Sequence, residues 1–137
     1  MTDFAFETTI PVRYNDLDTL GHVNNAIHAT YLEEGRIAYF EEGIDHPLGD
    51  RNMLIASISI DFREPVRAKE VTVGLGITRI GETSFDFEYE IEAHGRTVST
   101  AESVQVAYDV VQEEKIPFPE DWRRAVTELE GDIERPE

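Results

Sequence analysis

Residues 13–36, RYNDLDTLGHVNNAIHATYLEEGR, join a polar loop to a helix. Asp16, Asp18 and His22 lie in the loop, and from Asn24 onward the apolar residues recur at the spacing of a helix. The helical stripe consists of Ile27, Tyr31, Gly35 and Ala38. Acidic, amide and imidazole side chains are denser here than elsewhere in the chain. We therefore expect the chemistry of the protein at this loop.

Outside this stretch, apolar and polar residues alternate as they do in β-strands. One strand is predicted before the helix, near residues 4–13. Four more are predicted after it, near residues 54–62, 71–77, 85–91 and 97–111. This order indicates an α+β fold in which an antiparallel sheet covers a single helix.

Two of these strands carry a distinctive face. In the first strand after the helix, one face is predicted to hold the apolar residues Leu54, Ala56, Ile58, Ile60 and Phe62. In the last strand, one face holds small residues, Ser99, Ala101, Ser103 and Ala107. A face of small residues lets a helix lie close to the sheet. Because one sheet and one helix leave edges uncovered, we also expect contact with another subunit.

The chain of 137 residues is long enough for one domain, and no linker or repeat divides it. We therefore interpret residues 1–137 as a single domain, with residues 118–137 forming an acidic tail that contains a short helix. No apolar run reaches the roughly 18 residues of a membrane helix, and the N-terminus lacks the pattern of a signal peptide. Cysteine is absent from the sequence. These features predict a soluble cytoplasmic protein with no membrane partner.

The charge of the chain is strongly negative, since 29 acidic residues against 12 basic ones give a net charge of −17. Nucleic acid is excluded as an expected partner, because binding to phosphates requires a basic surface. A hydrophobic content of 40% argues for a packed core and against disorder. We interpret the acidic surface as an adaptation to molar salt, where charge repulsion is screened over about 3 Å.

The sequence resembles a known family at several places. The string from Tyr14 to Asn25 and the segment Tyr31 to Glu34 resemble the signature of hot-dog-fold acyl-CoA thioesterases of the hydroxybenzoyl-CoA thioesterase type. Weaker similarities follow at residues 62–66 and 80–85, so the resemblance spans about residues 4–111. It implies an antiparallel sheet of five to six strands wrapped around one central helix. It also implies acyl-CoA substrates, neither a metal nor another cofactor, and homodimers or homotetramers with active sites at a subunit interface.

The resemblance assigns candidate catalytic residues to the loop. Asp18 matches the catalytic carboxylate of the family, either as general base for water or as a nucleophile that forms an anhydride. Asn25 matches the position whose backbone N–H binds the oxyanion at the helix start. Asn24 is a candidate for orienting the water or Asp18, and His22 for holding the carboxylate or polarising the carbonyl. By spacing alone, these residues could instead build a turn and cap the helix.

Candidate substrate-binding residues lie on the helix and after the second strand. His28 occupies a position where relatives commonly carry an aromatic residue such as tyrosine, which suggests a role in the acyl pocket. The alternative for His28 is a packing or interface histidine. Arg63, Arg67 and Lys69 flank the turn at Pro65 and are candidates for binding the phosphates of CoA. The alternative for these three is a set of charges that keeps an edge strand soluble.

Three other functions stay open from the sequence. In the acyl-carrier-protein branch, Asp, Asn and His recur at alternate loop positions, but here Leu20 stands between Asp18 and His22. A dehydratase would need a catalytic histidine paired with an acid on a differently patterned helix. A non-catalytic protein that binds acyl thioesters is the third possibility. The sequence therefore predicts an acyl-CoA thioesterase and does not define its acyl group.

Overall fold

The computed structural model describes residues 4–133, which form six strands and two α-helices. The strands are β1 Phe6–Pro11, β2 Arg51–Phe62, β3 Glu70–Ile80, β4 Ser84–Ala93, β5 Arg96–Asp109 and β6 Glu114–Lys115. Helix α1, Asn25–Ala38, continues into a π-helical turn at Tyr39–Gly43, and helix α2 spans Glu120–Glu130. The last residues of the predicted tail, 134–137, lie outside the described residues, as do residues 1–3.

All strand pairs are antiparallel, and the sheet order is β1-β3-β4-β5-β2, with the short β6 paired to β5. The central helix α1 lies between β1 and β2 in the chain and packs its buried face on the sheet. The predicted α+β fold, an antiparallel sheet of five to six strands around one helix, is therefore confirmed. No helix within residues 4–133 has the length and apolar character needed to cross a membrane.

A β-bulge in β2 changes the predicted alternation of that strand. Its pairing with β5 slips by one residue between Ile55 and Ser57, which adds a residue to the period of two. Residues that pair directly across an antiparallel sheet share a face, so Leu54, opposite Val106, lies on the other face from Ile58, opposite Ser103. The prediction that Leu54 and Ile58 share a face was wrong, because the bulge reverses the phase.

The small-residue face of β5 faces the helix, as predicted. Ser99 and Ser103 are buried and pair across the sheet with Ile91 and Phe87, which belong to the core. The helix also comes close to β3 through a glycine. A Cβ atom added to Gly35 would lie only 3.1 Å from Val73 Cγ1. Small side chains at these places therefore set the distance between helix and sheet.

The edge strand β2 is the least covered part of the sheet. It has β5 on one side and no strand on the other among the described residues. Four of its large apolar side chains are exposed, namely Leu54, Ile55, Ile58 and Phe62. An apolar edge of this kind is unusual in a protein that works as a single chain, since unpaired edges promote association.

Helix α2 packs on the core through an aromatic side chain. Trp122 packs on Phe40 and Phe118, with ring centroids 4.8 and 5.6 Å apart. At the end of the helix, Glu130 Oε2 accepts a 2.6 Å hydrogen bond from the Tyr39 hydroxyl and a 3.3 Å bond from the Ile77 N–H. The helix is thus fixed by aromatic packing and by the partly buried Glu130 carboxylate.

Candidate active site

The loop before α1 is a small closed hairpin. Leu17 pairs with Val23 in an isolated antiparallel bridge, and the Asp18 N–H donates to the His22 carbonyl at 2.7 Å. Gly21 has a φ of +79°, a left-handed conformation that side chains rarely adopt. The Val23 N–H donates to the Val66 carbonyl at 2.9 Å, which ties the hairpin to the segment after β2. The sequence therefore builds a defined loop whose tip is residues 18–22.

Asp18 uses one carboxylate oxygen to shape this loop. Its Oδ1 accepts hydrogen bonds from the Leu20 N–H at 2.9 Å and the His22 N–H at 3.1 Å. The bond from His22 contributes most to lowering the pKa of Asp18 below its usual value, and the nearby charge of Arg67 acts in the same direction. No residue within 4–133 donates to Oδ2, and the side chain is exposed. Asp18 is therefore an ionised carboxylate with one oxygen available to a ligand.

Asp16 lies two residues earlier but has a different environment. It is buried, and its Oδ2 accepts hydrogen bonds from the Arg13 N–H at 2.9 Å and the Tyr31 hydroxyl at 2.8 Å. Burial acts to raise the pKa of Asp16, but these hydrogen bonds outweigh burial and keep the pKa below its usual value. The Asp16 carbonyl also accepts from the Asn24 N–H at 2.8 Å. Asp16 therefore anchors the loop to helix α1.

The N-terminus of α1 leaves one backbone amide without a partner. Asn24 is the N-cap, and its side-chain oxygen accepts from the Ala26 N–H at 2.9 Å. The Ile27 N–H donates to the Asn24 carbonyl at 2.9 Å. The Asn25 N–H has no acceptor among the described residues. This amide points from the positive end of the helix, which makes it a suitable donor for an anion.

His22 approaches Asp18 through its main chain. The backbone N–H of His22 donates to Asp18, while the imidazole makes no hydrogen bond with any residue that the structure describes. Its Nε2 atom is buried as well as unpartnered. Buried polar atoms are nearly always paired, so this nitrogen is suited to a ligand or a water molecule.

His28 lies one turn into α1 and is buried. Its Nδ1 atom is 2.9 Å from the Ser99 hydroxyl oxygen on β5, and its ring meets the Phe62 ring edge to face at 4.9 Å. Burial lowers the pKa of His28, so the imidazole is neutral near pH 7. The sequence did not predict Ser99 as the partner of His28. Ser99 shares a face with the other small residues of β5, and only the fold shows which helix side chain it meets.

The three basic candidates lie on the segment between β2 and β3. Arg63, Arg67 and Lys69 are exposed, and none forms an ion pair with another described residue. Arg67 is near enough to Asp18 for its charge to lower the pKa of that carboxyl. The structure thus brings Arg67 to the loop and leaves all three cations available.

A surface cavity of about 520 Å³ adjoins the loop. Its lining consists of Tyr14, Asn15, Leu17, Asp18, Thr19 and Gly21. The cavity has Asp18 in its lining and is open to solvent, because the described chain does not enclose it. Within residues 4–133, no group of three or more His, Asp or Glu side chains is arranged to hold a metal ion.

The chain is similar to several known proteins. The protein YsmA of Bacillus subtilis, described as uncharacterized, is 29% identical over 90 residues, which cover 64% of this chain and 61% of YsmA. A thioesterase from Thermus thermophilus, solved in complex with coenzyme A and Zn, is 32% identical with a TM-score of 0.80. That match covers 96% of this chain and 99% of the other.

A second structural match has the same fold at lower identity. The 1,4-dihydroxy-2-naphthoyl-CoA thioesterase Slr0204 from Synechocystis has a TM-score of 0.78 at 23% identity, over 90% of this chain and 96% of the other. The family model of the thioesterase-like superfamily matches residues 12–126, which include the loop, helix α1 and the whole sheet from β2 to β6. The resemblance predicted from the loop motif is confirmed, and the chain belongs to the thioesterase-like superfamily.

Proposed function

We propose that the protein is an acyl-CoA thioesterase that hydrolyses an acyl-CoA thioester to a free acid and CoA. The observation that carries this proposal is the combination in one loop of an ionised carboxylate with an unpaired oxygen and a helix N-terminus with an unpaired amide. Family membership supports thioester hydrolysis, and the coenzyme A complex of the Thermus thermophilus relative supports a CoA thioester as substrate.

In this reaction, Asp18 acts by one of two routes. As general base, Oδ2 takes a proton from a water molecule while the water oxygen attacks the thioester carbonyl carbon. As nucleophile, Oδ2 attacks that carbon itself and forms a mixed anhydride, which water then opens. In both routes the carbon–sulfur bond breaks, and the CoA sulfur leaves as a thiolate that takes up a proton. The pKa of Asp18 is low enough to keep the carboxylate ionised for either role.

The carbonyl oxygen gains negative charge in both routes, and the Asn25 N–H is its proposed donor. Asn24 supports this role because its side chain occupies the Ala26 N–H and leaves the preceding amide open. The partial positive charge of the helix end adds to the stabilisation. We assign His22 to the substrate or to the attacking water, through its unpartnered Nε2. Arg63, Arg67 and Lys69 are assigned to the phosphates of CoA, whose approach to a protein of charge −17 otherwise meets repulsion.

A second copy of the chain is part of this proposal. Asp18 and its cavity are exposed in one chain, whereas thioester chemistry is favoured in a site that excludes water. The uncovered apolar strand β2 offers the surface on which another copy could pack. We therefore propose a homodimer as the minimal active form, with a homotetramer as a further possibility. The cytoplasmic location inferred from the sequence stays a prediction.

The dimer can be tested with two matched substitutions. Ile58→Glu places a charge on β2, and Ile37→Glu places the same charge on the outer face of α1 at a residue of nearly equal exposure, 40% against 41%. We expect Ile58→Glu to sediment as a monomer and to lose turnover, and Ile37→Glu to keep both the assembly and the activity. A fully active monomer of Ile58→Glu would contradict the proposed assembly.

The reaction is tested with a panel of acyl-CoA thioesters from acetyl through palmitoyl to benzoyl in about 2 M KCl. Free thiol release is followed for wild type, Asp18→Asn and the control Asp45→Asn, an exposed loop residue with a positive φ that asparagine tolerates. Asn at position 18 keeps an oxygen for the two backbone amides but removes the base. We expect its turnover to fall by about 10²–10⁴-fold.

Two outcomes would contradict the proposal. Full activity of Asp18→Asn would remove this residue from the mechanism. No thiol release by wild type from any member of the panel would direct the assignment to a carrier-protein thioester or to acyl binding without turnover.

A further inference from the structure

Arg36 is a buried cation without an ion pair in the described chain. It lies near the end of α1 and is 5% exposed. Its one side-chain hydrogen bond among residues 4–133 runs from Nη1 to the neutral Tyr89 hydroxyl at 3.1 Å, and none of these residues places a carboxylate close enough to pair with it. Buried charges in proteins are paired with few exceptions. A counter-ion for Arg36 is therefore expected from outside the described chain.

The other nitrogens of Arg36 can be reached from outside. Nε and Nη2 have no acceptor among the described residues, and neither belongs to the fully enclosed polar atoms that lack a partner in this part of the chain. They therefore lie at the small exposed part of the side chain. A guanidinium carries five N–H donors, and two of them can bind both oxygens of one carboxylate. The open part of Arg36 thus fits a carboxylate.

The guanidinium lies on the side of α1 that faces strand β2. Its partner Tyr89 is hydrogen-bonded to Ser103 of β5, and Ser103 pairs across the sheet with Ile58 of β2. The next residue of the helix, Ile37, lies on the other side, where it lines a cavity together with residues 8–11 of β1. Arg36 is therefore directed toward the uncovered edge of the sheet.

Exposed apolar side chains lie on β2 at this edge. Ile55, Ile58 and Phe62 are 42%, 40% and 45% exposed. Each pairs across the sheet with a buried residue of β5, so all three lie on the face of the sheet that carries the helix. An apolar surface beside a buried cation is therefore left uncovered in a single chain.

Glu33 supplies a free carboxylate on the same side of α1. It precedes Arg36 by three residues, a spacing that puts two side chains on one side of a helix. Glu33 is exposed and forms no ion pair with another residue of the described part, whereas the adjacent Glu34 pairs with Arg13 at 2.9 Å. This side of α1 thus carries one unpaired anion and one unpaired cation, which makes it complementary to a second copy of itself.

We propose that a second copy of the chain packs on this surface and that Arg36 binds the carboxylate of the partner subunit's Glu33. A two-fold axis forms the contact twice, once in each direction. A free anion would have to approach a protein of charge −17, whereas the apolar contact along β2 brings the partner's carboxylate to Arg36. The inference rests on the homodimer of the proposed function and names the ion pair that specifies it.

The dissociation constant of the dimer tests the inference, measured by sedimentation equilibrium in about 2 M KCl. Glu33→Ala is compared with Glu41→Ala, which removes the same charge from an exposed residue on the β1 side. Because each dimer loses two contacts, we expect the constant to rise about 100-fold in Glu33→Ala and less than about twofold in Glu41→Ala. Equal constants for the two variants would overturn the inference and leave the dimer intact. A wild type that stays monomeric would overturn both.

A mixing experiment distinguishes a contact between subunits from one within a chain. Equal amounts of tagged Glu33→Ala and untagged Arg36→Met are mixed, and the untagged chain retained with the tag is measured. The heterodimer regains one contact that both homodimers lack, so we expect heterodimers to outnumber the two homodimers together. Random pairing, which gives equal numbers, would overturn the inference. Glu33 is exposed, so the first measurement decides the matter even if Arg36→Met does not fold. Neither measurement depends on turnover, so failure of the thioesterase assignment is seen separately.

Discussion

Tyr31→Phe should weaken the fold at the loop that carries the candidate catalytic residue. Tyr31 is fully buried, and its hydroxyl donates at 2.8 Å to the ionised and buried Asp16. The substitution removes one oxygen and leaves the ring in place. A hydrogen bond to a charged group contributes about 1.5–3 kcal/mol to stability. We therefore expect the free energy of unfolding to fall by about 2 kcal/mol and Tm by about 5–10 °C.

The assay is urea unfolding in about 2 M KCl at a fixed protein concentration, because the stability of an oligomer depends on concentration. Tyr14→Phe is the matched control, since it removes the same hydroxyl from a side chain that is 87% exposed. Its effect should stay within about 0.5 kcal/mol. If Tyr31→Phe were as stable as Tyr14→Phe, the bond between Tyr31 and Asp16 would not be what anchors the loop.

The pH dependence of the Tyr31→Phe effect gives a second check. The pKa of Asp16 is lowered in the folded protein, and the Tyr31 hydroxyl contributes to that lowering. A group with a lowered pKa adds stability above its unfolded pKa, here about 3.8, and loses that contribution as pH falls through the folded value. The difference in unfolding free energy between wild type and Tyr31→Phe should therefore be largest near pH 7 and smaller at pH 3. A difference that grows in acid would refute this assignment.

Three further outcomes are expected. Both Tm and turnover should rise with KCl between about 0.1 and 2 M, because salt screens the net charge of −17, and a steady fall in both would contradict a surface adapted to salt. Gly35→Leu should lower the free energy of unfolding, measured in urea, by about 3 kcal/mol, because the larger side chain overpacks the contact between α1 and β3. Gly35→Ala should leave it nearly unchanged, because the higher helix propensity of alanine, about 1 kcal/mol, offsets the close contact of 3.1 Å with Val73. Glu130→Ala should lower the free energy of unfolding by about 2 kcal/mol, because it leaves the Tyr39 hydroxyl and the Ile77 N–H unpaired. Glu128→Ala is the control in the same titration, and it should change this free energy little because Glu128 is exposed.

The sequence by itself determined the fold class and predicted where the candidate site lies. The change from a period of two to a helical period at Asn24 identified the central helix, and the small residues of β5 identified the face against which a helix packs. These patterns can be recognised without a structure, because each depends on residues only a few positions apart in the sequence. The loop motif around Asp18 also identified the family, since it is a local string.

Only the tertiary structure decided which environment each of several similar residues has. Asp16 and Asp18 are both loop carboxylates in the sequence, but the Tyr31 hydroxyl and burial make Asp16 an anchor and leave Asp18 with an open oxygen. The sequence likewise did not reveal the bulge in β2 or the pairing of His28 with Ser99, which is 71 residues away. Register, burial and partner choice depend on contacts between distant segments, whose energies no local pattern contains. For that reason the sequence predicted the loop of the candidate site, and only the fold distinguished the residues that build this loop from those left open to a ligand.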